Sequence, residues 1–208
     1  MYRLIIFIIL IIISLDVLAI SKIYLIRHAE VQIENPGWCR SETAIEYKKQ
    51  YNKNHIQEFK KDIVLEKIDS YRSIDTVFCS PQKRAIETAN AIFNKSVILN
   101  INDNLMELDY PVINMDLIKL PLKVWLTISF IKWIAGNNVE GHLSYKEKKH
   151  KLESYSDELI AYAETNKICV VIAHGMLNRE LIKILKNKGW RLEYNEGLRN
   201  LSVNCLIK

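Results

Sequence analysis

The sequence lacks the cysteine pairs that mark many small metal-binding and redox domains. The chain has four cysteines, and none forms a Cys-x-x-Cys or stands at ligand spacing from one of the five histidines. They are Cys39, Cys79, Cys169 and Cys205. Two of them, Cys79 and Cys169, fall inside apolar strand candidates, where a free thiol behaves as a small buried hydrophobe. This pattern favours structural thiols and predicts no metal, although an even count in an exported protein also permits disulfides.

The sequence also lacks a dense basic patch, an internal repeat and a low-complexity segment beyond the N-terminus. Its net charge is +5, and the densest basic cluster is at 146–151. A nucleic-acid reader usually carries a stronger patch or a recognisable motif, so the charge favours small anionic ligands and no nucleic-acid partner. The length of 208 residues, with 49% apolar and 25% charged residues, predicts one globular domain.

The N-terminus stands apart from the rest of the chain. A short positive start precedes an apolar run from Leu4 to Ile13, and Val17-Leu18-Ala19 offers the small residues that a signal peptidase accepts. We therefore predict a signal peptide or membrane anchor at 1–20 and a domain at 21–208. The protein is expected to be exported (periplasmic or secreted) or membrane-anchored. Cleavage and retention both stay open, because the first strand starts almost immediately after Ala19.

The remaining chain alternates between strand-like and helix-like patterns. The predicted strands are 22–26, 76–79, 97–99, 168–173 and 201–207, and the predicted helices are 41–51, 60–71, 82–93, 146–165 and 175–186. Strands that alternate with helices are typical of an α/β fold. We predict a three-layer α/β/α sandwich with a mostly parallel sheet.

Charged and polar residues follow the strands of this predicted sheet. Arg27 and His28 follow the first strand, His174 follows strand 168–173, and Arg84 lies in the first turn of the helix after Ser80-Pro81. The carboxyl ends of parallel strands open onto one crevice, so these side chains are expected to meet there.

Four motifs resemble the histidine phosphatase superfamily, in its phosphoglycerate mutase-like branch. They are Leu25-Ile26-Arg27-His28-Ala29-Glu30, the run from Ser80 to Ala89, Leu105-Met106-Glu107, and Val171-Ile172-Ala173-His174-Gly175. They occur in the order of the family and span most of the chain after Lys22. Four motifs in order are far more specific than any one of them.

The resemblance implies a role for each of these residues. His28 would be the nucleophile that forms a phosphohistidine, with Arg27, Arg84 and His174 around the phosphoryl group. Nearby positive charge lowers the pKa of an imidazole and keeps its attacking lone pair available. Glu107 would donate a proton to the leaving oxygen, with Asp109 as the alternative acid. The guanidinium groups supply the positive charge, so neither metal nor cofactor is expected.

The chain departs from the mutase pattern in two places. Glu34 stands where mutase relatives usually carry a phosphate-binding Asn, with Asn35 one residue off. Asp109-Tyr110-Pro111 replaces the Gly-x-Trp-Glu-Gly-like sequence that follows the acid in many relatives. The expected activity is therefore hydrolysis of a small-molecule phosphomonoester. The alternatives are a phosphoryl-transferring mutase and a non-catalytic phosphate-binding or docking module on the same fold.

The segment 117–135 is rich in apolar and aromatic residues and is interrupted by Pro121, Lys123 and Lys132. One interpretation is a core or cap helix with buried aromatics. The other is an apolar lid or interfacial helix, with its tryptophans and lysines at a membrane surface and a substrate that carries an apolar tail, such as a lipid phosphate. The segment is thus a second candidate for membrane association. The sequence does not predict the oligomeric state.

Overall fold

A computed structural model describes residues 20–115, 117–136 and 143–208. The predicted signal peptide or anchor therefore lies outside the described residues, except for Ile20, and export stays a prediction. Within the described ranges, no helix combines the length and the apolar character that crossing a membrane requires.

One six-stranded sheet forms the centre of the molecule. The strands of the chain are β1 (Lys22–Arg27), β2 (Trp38–Cys39), β3 (Thr76–Cys79), β4 (Ile98–Ile101), β5 (Leu120–Pro121), β6 (Ile168–Ala173), β7 (Arg191–Asn195) and β8 (Val203–Ile207). The order across the large sheet is β4-β3-β6-β1-β8-β7. Strands β4, β3, β6 and β1 are parallel; β8 pairs antiparallel with β1, and the edge strand β7 pairs antiparallel with β8. The predicted mostly parallel sheet is confirmed.

Helices cover both faces of this sheet. They are α1 (Ser41–Lys53), α2 (Asp62–Leu65), α3 (Lys83–Phe93), α4 (Leu122–Ile134), α5 (Tyr145–Asn166) and α6 (Gly175–Asn187). Alternate residues of β1 point into two separate cores, because successive side chains of a strand face opposite sides. Ile23 and Leu25 pack in the core under α5 and α6, whereas Tyr24 and Ile26 pack in the core under α2 and α3. The fold is therefore the predicted three-layer sandwich.

The structure differs from the prediction in one helix and in one strand of the large sheet. The helix predicted at 60–71 is only the single turn α2. Ile68 follows in a further turn, in which its amide donates to the carbonyl of Leu65, and Ser70 then adopts a left-handed φ of 48°. Strand β7 was not predicted, although Leu192 and Tyr194 alternate in it with charged and polar residues. It lies at the edge of the sheet, where such residues are expected.

All four cysteines are buried and free, as the structural-thiol interpretation predicts. Two of them, Cys79 and Cys169, lie in β3 and β6. Their apolar surroundings raise the pKa of each thiol, that of Cys79 to about 12.

The segment 117–135 contains α4, whose two tryptophans face inward. Trp125 and Trp133 are 1% and 2% exposed, and their indole nitrogens donate hydrogen bonds to the carbonyls of Cys39 (2.9 Å) and Leu143 (3.1 Å). A tryptophan buried in this way has its single N–H satisfied. This agrees with a cap helix with buried aromatics, and it places neither tryptophan at a membrane surface.

Candidate active site

The sheet register brings the predicted site residues together. Arg27 at the end of β1 pairs with Ala173 at the end of β6, so His28 and His174 leave adjacent strands at the same level. Their ring centroids are 5.1 Å apart. Cys79 of β3 pairs with Ile172 of β6, which brings Ser80 to the same edge. Parallel pairing therefore explains why distant motifs share one crevice.

The imidazole of His28 is held in one tautomer. Its Nδ1 lies 2.6 Å from the carbonyl oxygen of Ala29, and a carbonyl only accepts hydrogen bonds, so Nδ1 carries the proton. Its Nε2 accepts a hydrogen bond from Nε of Arg84 at 3.2 Å. Burial, and then the positive charge of Arg84, lower the pKa of His28 to about 3. The ring is thus neutral at ordinary pH and keeps a lone pair on Nε2.

Arg84 is the second residue of α3 and is buried beside that nitrogen. Its Nη1 and Nη2 donate to the side-chain oxygens of Asn52 (2.8 Å) and Gln82 (2.9 Å), and its guanidinium lies 4.9 Å from the ring centroid of Tyr51. These contacts fix the plane of the guanidinium before any ligand arrives. A planar, oriented guanidinium matches the oxygens of a phosphoryl group.

Arg27 approaches the crevice from the end of β1. Its Nη1 donates to the carbonyl of Leu198, whereas its Nε is buried and has no hydrogen-bond partner among the described residues. A buried donor without a partner is uncommon and is typical of a ligand-binding position. A Cβ on Gly175 would come within 3.3 Å of Arg27 Cδ and of the Leu198 carbonyl, so the glycine permits this close packing.

His174 is fully buried between Ser80 and Glu107. Its Nε2 lies 2.8 Å from the hydroxyl of Ser80, and its Nδ1 lies 3.6 Å from a carboxyl oxygen of Glu107. Burial, followed by the charge of Arg84, holds the pKa of His174 well below its usual value. A pKa lowered in this way favours the neutral imidazole at ordinary pH.

Glu107 follows a short 3₁₀ turn, Asp103–Leu105, and faces His174. Its Oε1 accepts from the amide of Leu108 at 3.1 Å, and its own amide donates to Gln82 at 3.2 Å. The carboxyl is 27% exposed, on the wall of the pocket. Burial raises its pKa, although Arg84 opposes the shift. A raised pKa suits a carboxyl group that must donate a proton.

Asp109, the alternative acid, has a different environment. Its carboxylate is 51% exposed and lies 2.7 Å from Nζ of Lys48. This ion pair lies in the outer part of the pocket. Glu107 instead faces His174, at the end of the crevice where the two histidines lie. Of these two carboxyl groups, Glu107 is thus the one that faces a histidine of the crevice.

The site opens into a cavity of about 310 Å³. The lining residues are Arg27, Tyr47, Lys48, Tyr51, Asn52, Gln82, Arg84, Glu107, Leu108, Asp109, Tyr110, Leu126 and Met176. Among the described residues, no group of three or more His, Cys, Asp or Glu side chains is arranged to hold a metal ion.

Sequence reasoning missed several of these residues. Ser80 and Gln82 belong to a motif that was recognised, but their contacts with His174 and Arg84 were not predicted. Asn52 lies at the polar end of α1, and no sequence pattern predicted that it belongs to the site. The amide oxygen of Asn52 accepts a hydrogen bond from Arg84. The exposed Asn35 is not in this position; its side chain accepts a hydrogen bond from the backbone amide of Gly37 at 2.9 Å.

The family model of the histidine phosphatase superfamily (branch 1) matches residues 23–207. The chain belongs to this superfamily. A comparison with curated proteins finds no match. The four motifs of this chain described above all lie within the matched range.

Solved structures of three phosphatases share the fold of this superfamily member. The ecdysone phosphate phosphatase of Bombyx mori is 14% identical with a TM-score of 0.55, over 89% of this chain and 88% of that one. The phosphoserine phosphatase of Entamoeba histolytica is 16% identical with a TM-score of 0.53, over 88% and 89%. A mycobacterial glucosyl-3-phosphoglycerate phosphatase is 16% identical with a TM-score of 0.52, over 79% and 81%. At these identities the likeness concerns the fold.

Proposed function

We propose that the protein is a metal-independent phosphatase that hydrolyses a phosphomonoester through a phosphohistidine on His28. The observation that carries the proposal is the state of that imidazole: the Ala29 carbonyl holds the proton on Nδ1, and Nε2 faces Arg84 with its lone pair. Nucleophilic attack needs this lone pair. The phosphoryl oxygens need a neighbouring cation that stabilises their charge.

In the first step, a phosphoryl oxygen replaces His28 Nε2 as the acceptor for Nε of Arg84, and the lone pair of Nε2 is released. Nε2 then attacks phosphorus, and a P–N bond forms as the P–O bond to the alcohol breaks. Glu107 gives its proton to the leaving oxygen, so the alcohol departs neutral. Arg27 and Arg84 bind the phosphoryl oxygens, whose charge spreads in the transition state. The buried Nε of Arg27, which lacks a partner, is available for one of them.

In the second step, a water molecule attacks the phosphohistidine and gives a proton to the Glu107 carboxylate. The P–N bond breaks, its electron pair returns to Nε2, and inorganic phosphate leaves. His174 stays neutral. Its Nε2 pairs with the Ser80 hydroxyl, and its Nδ1 faces the Glu107 carboxyl group at 3.6 Å.

The test is hydrolysis of an aryl phosphate in the presence of a chelator, by the wild type and by His28→Ala. The matched control is His150→Ala, because His150 is exposed on α5 away from the pocket. We expect turnover that survives the chelator, falls more than about 10³-fold in His28→Ala and persists in the control. An alkali-stable, acid-labile phosphoprotein should appear in the wild type and in His150→Ala, and not in His28→Ala.

Other outcomes separate the alternatives. Equal turnover by His28→Ala would overturn the mechanism. Transfer of the phosphoryl group to an added alcohol but not to water would indicate a mutase. Phosphate binding without a phosphoprotein or turnover would indicate a binding module.

A further inference from the structure

We infer that the substrates are phosphomonoesters of uncharged alcohols with an apolar or aromatic body. This inference rests on the proposed function and concerns the part of the pocket beyond the phosphoryl-binding arginines. A pocket selects its ligand by matching apolar walls and by the charges it leaves available.

The walls of this outer part are aromatic and apolar. Tyr47 stacks on Tyr51 at 6.1 Å between centroids, and both belong to α1. Tyr110 forms another part of the lining and is held from behind by Phe130 at 5.3 Å. Leu126 of α4 contributes an aliphatic surface. Such surfaces favour a flat or apolar group attached to the phosphate.

The described lining of the outer part offers no unengaged cation for a second anionic group on the substrate. Among the residues that line the described pocket, Lys48 is the single cation besides the two arginines. Its Nζ lies 2.7 Å from the Asp109 carboxylate, donates to the carbonyl of Tyr110 and lies 4.1 Å from the centroid of that tyrosine ring. A substrate carboxylate here would have to compete with the Asp109 carboxylate for Lys48. Like charges that meet in a partly buried site are unfavourable.

The hydroxyls of Tyr47 and Tyr110 add no charge to this part of the pocket. Burial raises the pKa of Tyr110 to about 12 and raises the pKa of Tyr47, so both are neutral at ordinary pH. The cavity of about 310 Å³ is at the lower end of the range for ligand pockets, which suits a phosphoryl group with a ring-sized substituent.

The test compares two alkyl esters, 2-phenylethyl phosphate and 3-phosphoglycerate, with the wild-type enzyme. We expect kcat/KM to be at least about tenfold higher for 2-phenylethyl phosphate. Leu126→Ala should raise KM for this ester by up to about tenfold with a smaller change in kcat. Asp109→Asn should raise kcat/KM for 3-phosphoglycerate by about two- to fivefold, since it removes the carboxylate that competes for Lys48.

The outcomes distinguish this inference from the proposed function. Hydrolysis of 3-phosphoglycerate as efficient as that of 2-phenylethyl phosphate would overturn the inference and leave the phosphatase intact. Absence of both turnover and phosphohistidine would overturn the proposed function and the inference with it.

The outward face of α4 carries a second, independent inference: we propose that it binds an anionic lipid surface. Val124, Ile128 and Ile131 recur at helical spacing on this face and are 36%, 43% and 59% exposed. Trp38, which is 70% exposed, pairs with Pro121 directly before the helix. These residues form an apolar stripe on the side opposite the buried tryptophans.

The charges around the stripe indicate the chemistry of the partner. The range 117–136 contains Lys119, Lys123 and Lys132 and no acidic residue. On the helical wheel, Lys123 and Lys132 lie on opposite sides of the stripe. An outward apolar face with flanking lysines fits acyl chains below anionic headgroups. A charged protein surface would offer no apolar layer for the isoleucines.

The test is cosedimentation with phosphatidylcholine vesicles, with and without added phosphatidylglycerol, using residues 20–208 to leave out the apolar N-terminus. Both described cores lie within 23–207, so this chain holds the folded unit. We expect binding that requires the anionic lipid and is lost in Ile128→Gln/Ile131→Gln. Ile63→Gln, an exposed site on α2, is the control.

No binding, or equal binding to neutral vesicles, would overturn this proposal. A concentration-dependent dimer that the same double substitution abolishes would show instead that a second copy covers the stripe.

Discussion

The replacement Glu107→Gln tests the proton-donor assignment most directly. The amide keeps the shape of the side chain and its acceptor for the Leu108 N–H, and the backbone bond to Gln82 is unaffected. The substitution removes the acidic proton of the carboxyl group. General acid catalysis contributes typically about 10²–10⁴-fold, which corresponds to about 2.7–5.4 kcal/mol of transition-state stabilisation.

The loss should depend on the leaving group. An alkyl phosphate needs the proton, because an alkoxide is a poor leaving group, so Glu107→Gln should lower its hydrolysis by the full factor. A nitrophenyl phosphate releases a stable phenolate without protonation. For this ester the first step should persist and the second step should slow, since no base remains for water. Rapid mixing should therefore show a burst of nitrophenol equal to the enzyme concentration.

The matched comparison is Asp109→Asn, which should leave the leaving-group dependence as it is in the wild type. Equal losses in the first step for both esters in Glu107→Gln would refute the assignment. The same refutation would come from a burst in Asp109→Asn and none in Glu107→Gln.

Three further predictions concern the nucleophile and its neighbours. Arg84→Lys should lower kcat/KM by about 10²-fold, because an ammonium replaces a fork that binds two oxygens; unchanged steady-state kinetics would contradict this. Thr88→Val should lower the free energy of unfolding by about 1–3 kcal/mol, because the buried Ala29 amide loses its acceptor at 2.9 Å, whereas Thr88→Ser should retain it in urea titrations. The folded-state pKa of His28 is lowered, so between about pH 6.5 and about pH 3 the unfolded chain binds a proton that the native state excludes. The free energy of unfolding therefore decreases as the pH is lowered through this range. Removing this histidine in His28→Asn should make that fall shallower by up to about 1.4 kcal/mol per pH unit, and an unchanged slope would show that the native imidazole titrates normally.

The sequence was sufficient for the parts of the site that follow strands. His28 and His174 end apolar runs, and the register of a parallel sheet then determines that they are neighbours. The position of Arg84 at the crevice follows from Ser80-Pro81, which ends the strand before α3. Each of these inferences needs a local pattern and one general rule about strand ends.

The outer wall of the pocket could not be predicted in this way. Lys48 and Asn52 lie on α1 among other polar residues, and their place at the site depends on how this helix packs against the rest of the fold. The inward direction of Trp125 and Trp133 was likewise open, because α4 is apolar on both sides and periodicity alone does not choose a face. Long-range packing decides both cases.

The proton on Nδ1 of His28 is held by a backbone carbonyl, that of Ala29. A carbonyl is present whatever side chain occupies the position, so point substitutions cannot delete it. The reactivity of the nucleophile is in this respect independent of the residues that form the pocket wall. Evolution or a protein engineer can therefore change Tyr47, Tyr110 or Leu126 and alter the accepted alcohol, while the group that attacks phosphorus keeps its tautomer.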